Sequence, residues 1–180
     1  VYLNNEKKIK HLKKNINNKI KNLNYDELIS YLETSKSQLS ILAISGYNSL
    51  NFLQPILKNT ESLGLVSKEA IVSAGHLFKN IKKSVTSKIY PLDSEHFSIF
   101  QNFTNQNILK KLTLTASGGP FHGKKFNTLK DVSLSDATNH PKWKMGYKNS
   151  IDSATLVNKC LELIEAHYLF EIPFDKLNIL

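Results

Sequence analysis

Three short apolar runs, set apart by helix-patterned stretches, constrain this chain more than any other feature. Ile41-Leu42-Ala43-Ile44, Leu63-Gly64-Leu65-Val66 and Ile89-Tyr90-Pro91-Leu92 have the length of buried strands. Between the first two, residues 50–57 are apolar at helical spacing, with Pro55 in the first turn or at a kink. Between the second two, residues 69–85 carry Ile71, Val72, Leu77, Phe78 and Ile81 on one side. Strand–helix–strand–helix–strand predicts βαβ units on a parallel sheet, hence an α/β fold.

After Leu92 the texture changes. Residues 94–103 read as a helix, Leu112-Thr113-Leu114-Thr115 as a strand, and a polar, turn-rich stretch runs to Tyr147. Residues 153–170 give the longest helix pattern, stopped by Pro173, and residues 176–180 begin another strand. This α+β texture puts a domain boundary at residue 92, giving domains over 1–92 and 93–180. Ahead of the first strand, residues 5–23 read as a lysine-rich helix with one apolar stripe, Ile9, Leu12, Ile16, Ile20 and Leu23.

Composition then removes several function classes. With 180 residues, 41% of them hydrophobic and 22% charged, the chain is in the globular range. No apolar run approaches the roughly 18–20 residues of a membrane span, so no membrane partner is expected. The net charge of +9 points toward an acidic partner, yet all 24 basic residues are lysine. Bidentate readout of bases and phosphates leans on arginine. The Lys- and Asn-rich composition is better explained by an A+T-rich genome, and no nucleic-acid partner is expected. The single cysteine, Cys160, excludes a disulfide framework and a cysteine-built metal site.

Five segments carry residue types suited to chemistry. Asp93-Ser94-Glu95-His96 follows the third strand, at the edge of a parallel sheet where ligands bind. Extended residues two apart project to the same side, so Asp93 and Glu95 can converge on a hard dication such as Mg²⁺ or Mn²⁺. The alternative is a helix start capped by Asp93 or Ser94. Ser117-Gly118-Gly119-Pro120 can turn backbone N–H groups toward a phosphate, or be a plain glycine turn. His140 to Gly146 holds the lone tryptophan, Trp143, and the lone methionine, Met145, in polar surroundings, as a closing lid would, or as a loop pinned by Trp143 packing would. In residues 152–162, helical spacing puts Asn158 and Glu162 on one face, with Lys159 one step round and Glu165 nearby. An ordinary amphipathic helix is the other reading. Ser67-Lys68-Glu69 also lies on the ligand edge, as a cap or a contact.

Taken in order, these segments resemble the 1-deoxy-D-xylulose 5-phosphate reductoisomerase family. The resemblance rests on Ala43-Ile44-Ser45-Gly46, Lys68-Glu69, Pro91 to His96, Ser117 to Phe121, His140-Pro141 with Trp143 and Met145-Gly146, and Asp152 to Thr155 with Asn158-Lys159 and Glu162. It implies the latter half of a Rossmann-type parallel-sheet domain followed by an α+β catalytic domain. It implies conversion of 1-deoxy-D-xylulose 5-phosphate to 2-C-methyl-D-erythritol 4-phosphate, by retro-aldol cleavage and re-aldolisation followed by hydride transfer from NADPH.

By the same resemblance a divalent cation (Mg²⁺, Mn²⁺ or Co²⁺) is held by Asp93, Glu95 and Glu162. Lys68 and His140 join them as catalytic residues, and Lys68, Ser94, Glu95, Ser117, His140, Ser153, Asn158, Lys159 and Glu162 contact the sugar phosphate. Ser67, Glu69, Met145 and Gly146 lie near NADPH, and Trp143 and Met145 form the lid. Ser67 and Cys160 depart from the family pattern, which keeps a non-catalytic homologue acting as a binding module as the alternative.

The family's glycine-rich dinucleotide fingerprint and C-terminal helical domain are not in this sequence. The expectation is therefore an internal piece, inactive alone and homodimeric when full length. A relict, apicoplast-type plastid is the expected location, with bacterial cytoplasm as the alternative.

Overall fold

The fold is given by a computed structural model that describes residues 2–3, 6–15, 20–103, 108–141 and 146–180. Strands β1 (Ser37–Leu42), β2 (Thr60–Leu65) and β3 (Lys88–Pro91) form a parallel sheet in the order β1-β2-β3. The register pairs Leu42 with Leu65 and Leu65 with Pro91. The sequence patterning therefore yields the expected α/β sheet, with each strand shifted toward the N-terminus by one to four residues.

The crossovers are helical. Helix α3 (Leu50–Asn59) joins β1 to β2 and keeps Pro55 inside it. Helices α4 (Lys68–Val72) and α5 (Gly75–Ser84) join β2 to β3. Leu57, Leu63, Leu65, Ile71 and Phe78 are fully buried between sheet and helices. Each contributes on the order of 1.5–3 kcal/mol by leaving water.

The single helix expected over residues 69–85 is instead two. The break falls at Ser73-Ala74, because α5 starts hard against a helix from the far end of the chain. A Cβ on Gly75 would lie 2.0 Å from the Tyr168 ring. Leu77 belongs to no buried stripe and is exposed.

Before the sheet come α1 (Glu6–Asn15) and α2 (Tyr25–Thr34), the latter closed by a capping box of Asn24 and Glu27. The expected helix over 5–23 does not reach its end, since Leu23 sits in a β-bridge with Tyr2. After the sheet, α6 (Ser94–Asn102) leads to β4 (Leu112–Leu114), which pairs in parallel with β5 (Leu177–Ile179). The stretch expected to be plain loop holds α7 (Leu134–Thr138), also closed by a capping box.

The long helix expected over 153–170 is likewise divided. Helix α8 (Tyr147–Ala154) ends at Thr155, Leu156 takes φ +63°, and α9 (Val157–Phe170) begins. In one straight helix Ser153 and Asn158 would lie about 140° apart, five residues at about 100° each. The left-handed step removes that constraint. Helix α9 then ties the two halves of the chain together. Leu169 joins the core under β1–β3, Ala166 joins the core with Leu114, Ile172 and Leu177, and Phe170 packs against both.

Two outcomes follow. Gly75→Ala should lower stability by about 1–3 kcal/mol in denaturant unfolding, overpacking outweighing the roughly 1 kcal/mol that alanine offers a helix. A midpoint at or above wild type would mean the Tyr168 ring moves aside freely. Leu156 is exposed and left-handed, so Leu156→Asn should hold or raise the melting temperature, while β-branched Leu156→Val should lose about 1 kcal/mol.

Candidate active site

Helices α6 and α9 bring together acids that are far apart in sequence. Asp93 is the N-cap of α6, its carboxylate accepting from the Glu95 amide, and Glu95 is in the first turn. The two converge as cap and first-turn residues, not as alternate residues of a strand. Both reach the positive end of a helix, where carboxylates are favoured. Glu162 enters from α9, almost fully buried. One carboxylate oxygen from each of Asp93, Glu95 and Glu162 lies within 4.8 Å of the other two.

Such a trio repels itself unless neutralised, and two lysines do this. Lys68, the first residue of α4, puts Nζ 3.2 Å from Asp93 Oδ2, 3.1 Å from Glu162 Oε1 and 2.9 Å from Asn158 Oδ1. Lys159 Nζ contacts Glu162 Oε2 at 2.7 Å and also donates to Glu95. Asn158 donates to Glu162 through its amide. Burial alone would lower both ammonium pKa values, but the carboxylates outweigh it, and both are raised. Burial would raise Asp93, but His96 and Lys68 hold it well below the usual carboxylate range.

Beneath this layer is a second one that the sequence reading assigned no role. His96 and Glu165 are both fully buried. His96 Nε2 lies 2.9 Å from the Glu162 carbonyl, which only accepts, so this nitrogen donates. Nδ1 faces Asp93 Oδ1 at 3.2 Å and Glu165 Oε2 at 3.3 Å. Desolvation pushes the Glu165 carboxyl up to about 7, against the opposing charge of His96. For His96, burial would lower the pKa, but Asp93 and Glu165 raise it. The signal for Glu165 was in the sequence: it lies three residues after Glu162, on the same helix face.

A narrow cleft adjoins the acids, lined by Ser117, Gly118, Gly119, Ser153, Asn158 and Lys159. The turn depends on its glycines. Gly118 and Gly119 have φ of +95° and +61°, and a Cβ on Gly119 would meet the Ser153 carbonyl at 2.6 Å. His140 is buried, with Nε2 3.4 Å from Ser117 Oγ. Ser94, exposed, donates to Glu95.

The residues expected near NADPH are more scattered. Ser67 is buried, its hydroxyl donating to the Ile44 carbonyl at 2.6 Å and held on the end of β1. Glu69 is 3.3 Å from Lys148, which also pairs with Asp152 and so joins α4 to α8. Gly146 caps α8. Trp143 and Met145 lie outside the described residues. Cys160, which departs from the family pattern, is exposed. A much larger cavity, about 1210 Å³ between α2 and β1, contains none of the acids.

Comparison with known proteins points to one family. Residues 89–170 match the family model for the 1-deoxy-D-xylulose 5-phosphate reductoisomerase C-terminal domain. A 1-deoxy-D-xylulose 5-phosphate reductoisomerase of Malacoplasma penetrans is 46% identical over 140 residues, 77% of this chain and 37% of that protein. The structure of the Zymomonas mobilis enzyme in complex with NADPH superposes with a TM-score of 0.82 at 32% identity, covering 99% of this chain and 46% of that one. A reductoisomerase in complex with NADPH, fosmidomycin and magnesium gives 0.79 at 36% identity, covering 88% and 42%. The chain thus spans less than half the length of the relatives it matches. Over that span, in sequence and in fold, it belongs to the 1-deoxy-D-xylulose 5-phosphate reductoisomerase family.

Proposed function

We propose that the full-length protein converts 1-deoxy-D-xylulose 5-phosphate to 2-C-methyl-D-erythritol 4-phosphate, with NADPH and a divalent cation, as a homodimer. The observation that carries this reading is the position of Asn158 and Lys159. Both touch the acids, and both line the cleft beneath the Ser117-Gly118-Gly119 turn. A sugar phosphate has the same two ends, oxygens that bind a cation and a phosphate that needs N–H and O–H donors.

The donor set fits a hard dication. Asp93, Glu95 and Glu162 offer carboxylate oxygens close enough to share one ion, and two ammonium groups already occupy the space between them. When bound there, Mg²⁺, Mn²⁺ or Co²⁺ supplies Lewis-acid polarisation of substrate oxygens, and NADPH supplies the hydride.

The chain's own residues do the rest. Lys68 and Lys159 orient the carboxylates and set positive charge against oxygens that become negative as the carbon skeleton is cleaved and rejoined. Asn158 offers an amide to a substrate hydroxyl. Ser117, His140 and Ser153, with the backbone of Gly118 and Gly119, hold the phosphate, while Ser94 keeps the Glu95 carboxylate in place. Glu69 and Gly146 contact the nucleotide side together with Met145, and Trp143 and Met145 close over the substrate. Ser67 serves that side through the β1 edge it braces. Residues 1–92 act as the nucleotide-binding part and 93–180 as the catalytic part. No helix among the described residues is long and apolar enough to cross a membrane. The Malacoplasma relative is bacterial, which supports bacterial cytoplasm over a relict plastid.

In the full-length protein, Glu162→Gln should reduce metal-dependent NADPH oxidation by at least about a hundredfold while leaving NADPH affinity unchanged in a fluorescence titration. Turnover at the wild-type rate would reject the cation assignment. Lys68→Met should leave Asp93 and Glu162 buried without their counter-charge, lowering unfolding free energy at neutral pH by about 3–5 kcal/mol in urea denaturation. The loss should shrink in acid, where protonation removes the carboxylate charge. A loss below about 1 kcal/mol would mean that Lys68 does not neutralise the pair.

A further inference from the structure

Glu165 is a poor choice for stability alone. It has no exposure, and neither carboxylate oxygen makes a hydrogen bond among the described residues. An acid buried this way is unfavourable, and a leucine of similar size would sit in α9 with less penalty. What the carboxylate does have is His96 Nδ1 at 3.3 Å.

The His96 ring is the buried bridge between the two helices that carry the acids. Nδ1 reaches the Asp93 carboxylate at the start of α6, and the Nε2 hydrogen goes to the Glu162 carbonyl on α9. Phe170 stacks over the same ring, with centroids 6.3 Å apart and planes 13° apart. Turning the ring would break both bonds at once. Stacking resists tilt but not rotation in the ring plane, and Glu165, the second carboxylate beside Nδ1, resists rotation from behind.

We propose that Glu165 is a positioning residue which, through His96, fixes the Asp93 carboxylate and the Glu162 backbone relative to each other. This sets the affinity of the acid trio for its cation, and it rests on the reading of Asp93, Glu95 and Glu162 as ligands. Groups that orient metal ligands from behind typically account for 10–100-fold in affinity.

The test is calorimetric titration with Mn²⁺ alone, in the full-length protein, of wild type, Glu165→Leu and Glu165→Gln. Glu165→Leu should melt at or above the wild-type temperature and bind Mn²⁺ 10–100-fold more weakly. Glu165→Gln, which keeps an oxygen beside Nδ1, should recover part of that affinity. A purely structural role would move stability and leave affinity alone, so Mn²⁺ binding by folded Glu165→Leu within twofold of wild type overturns the proposal. Should Glu165→Leu fail to fold, Glu165→Gln decides: a loss of threefold or more supports it, and wild-type affinity overturns it. Wild type that takes up no Mn²⁺ overturns the cation reading as well. Binding by wild type with unaltered Glu165 variants overturns this inference only.

Discussion

Three carboxylates converge in this molecule only because two ammonium groups lie between them. Asp93, Glu95 and Glu162 would otherwise hold α6 and α9 apart, since like charges at such distances are strongly unfavourable out of water. Lys68 and Lys159 turn that repulsion into a joint. Lys68 extends the joint to α4, so the start of the β2–β3 crossover, the start of α6 and the first turns of α9 share one ionic network. Replacing either lysine takes a counter-charge away from the buried Glu162.

The network is also why the catalytic reading and the fold cannot be separated. Helix α9 runs from the acids to Leu169, which is part of the core beneath β1–β3, and Ala166 on the way belongs to the second core. The helix that presents Glu162 is therefore anchored at both ends. The left-handed Leu156 and the positive-φ glycines at 118 and 119 do the complementary work, bringing Ser117 and Ser153 to the same cleft as Asn158. Unusual backbone conformations at both sides of one cleft fit a site where geometry is worth some local strain.

Much of this was legible in the chain. The apolar runs and helical periodicity gave the parallel sheet, because a buried parallel strand must be apolar on both faces and its crossover must be amphipathic. The spacing of Asn158 and Glu162 put them on one helix face. Other points were not legible. The break at Ser73-Ala74 answers to Tyr168, more than ninety residues away, and local propensity contains no trace of it. The step at Leu156 leaves the apolar pattern almost unchanged while redirecting Ser153. Of the two readings open for Asp93 and Glu95, strand neighbours or a helix cap with its first turn, only packing could choose the second. The helix spacing placed Glu165 near Glu162, but the burial of Glu165 and His96 did not show, because burial of a polar group is a property of the surroundings.

By itself, then, the sequence determined the strand–helix alternation of the parallel sheet, which residue types stand at the sheet edge, and the family to which their order belongs. These follow from local periodicity and side-chain chemistry, which neighbours in the chain suffice to express. Only the tertiary structure decided that Lys68 neutralises acids 25 and 94 positions away, that His96 bridges α6 to α9, and that Glu165 lies buried behind them against His96 Nδ1. Charge neutralisation and desolvation act through space, so their partners are known only once the chain has closed around them.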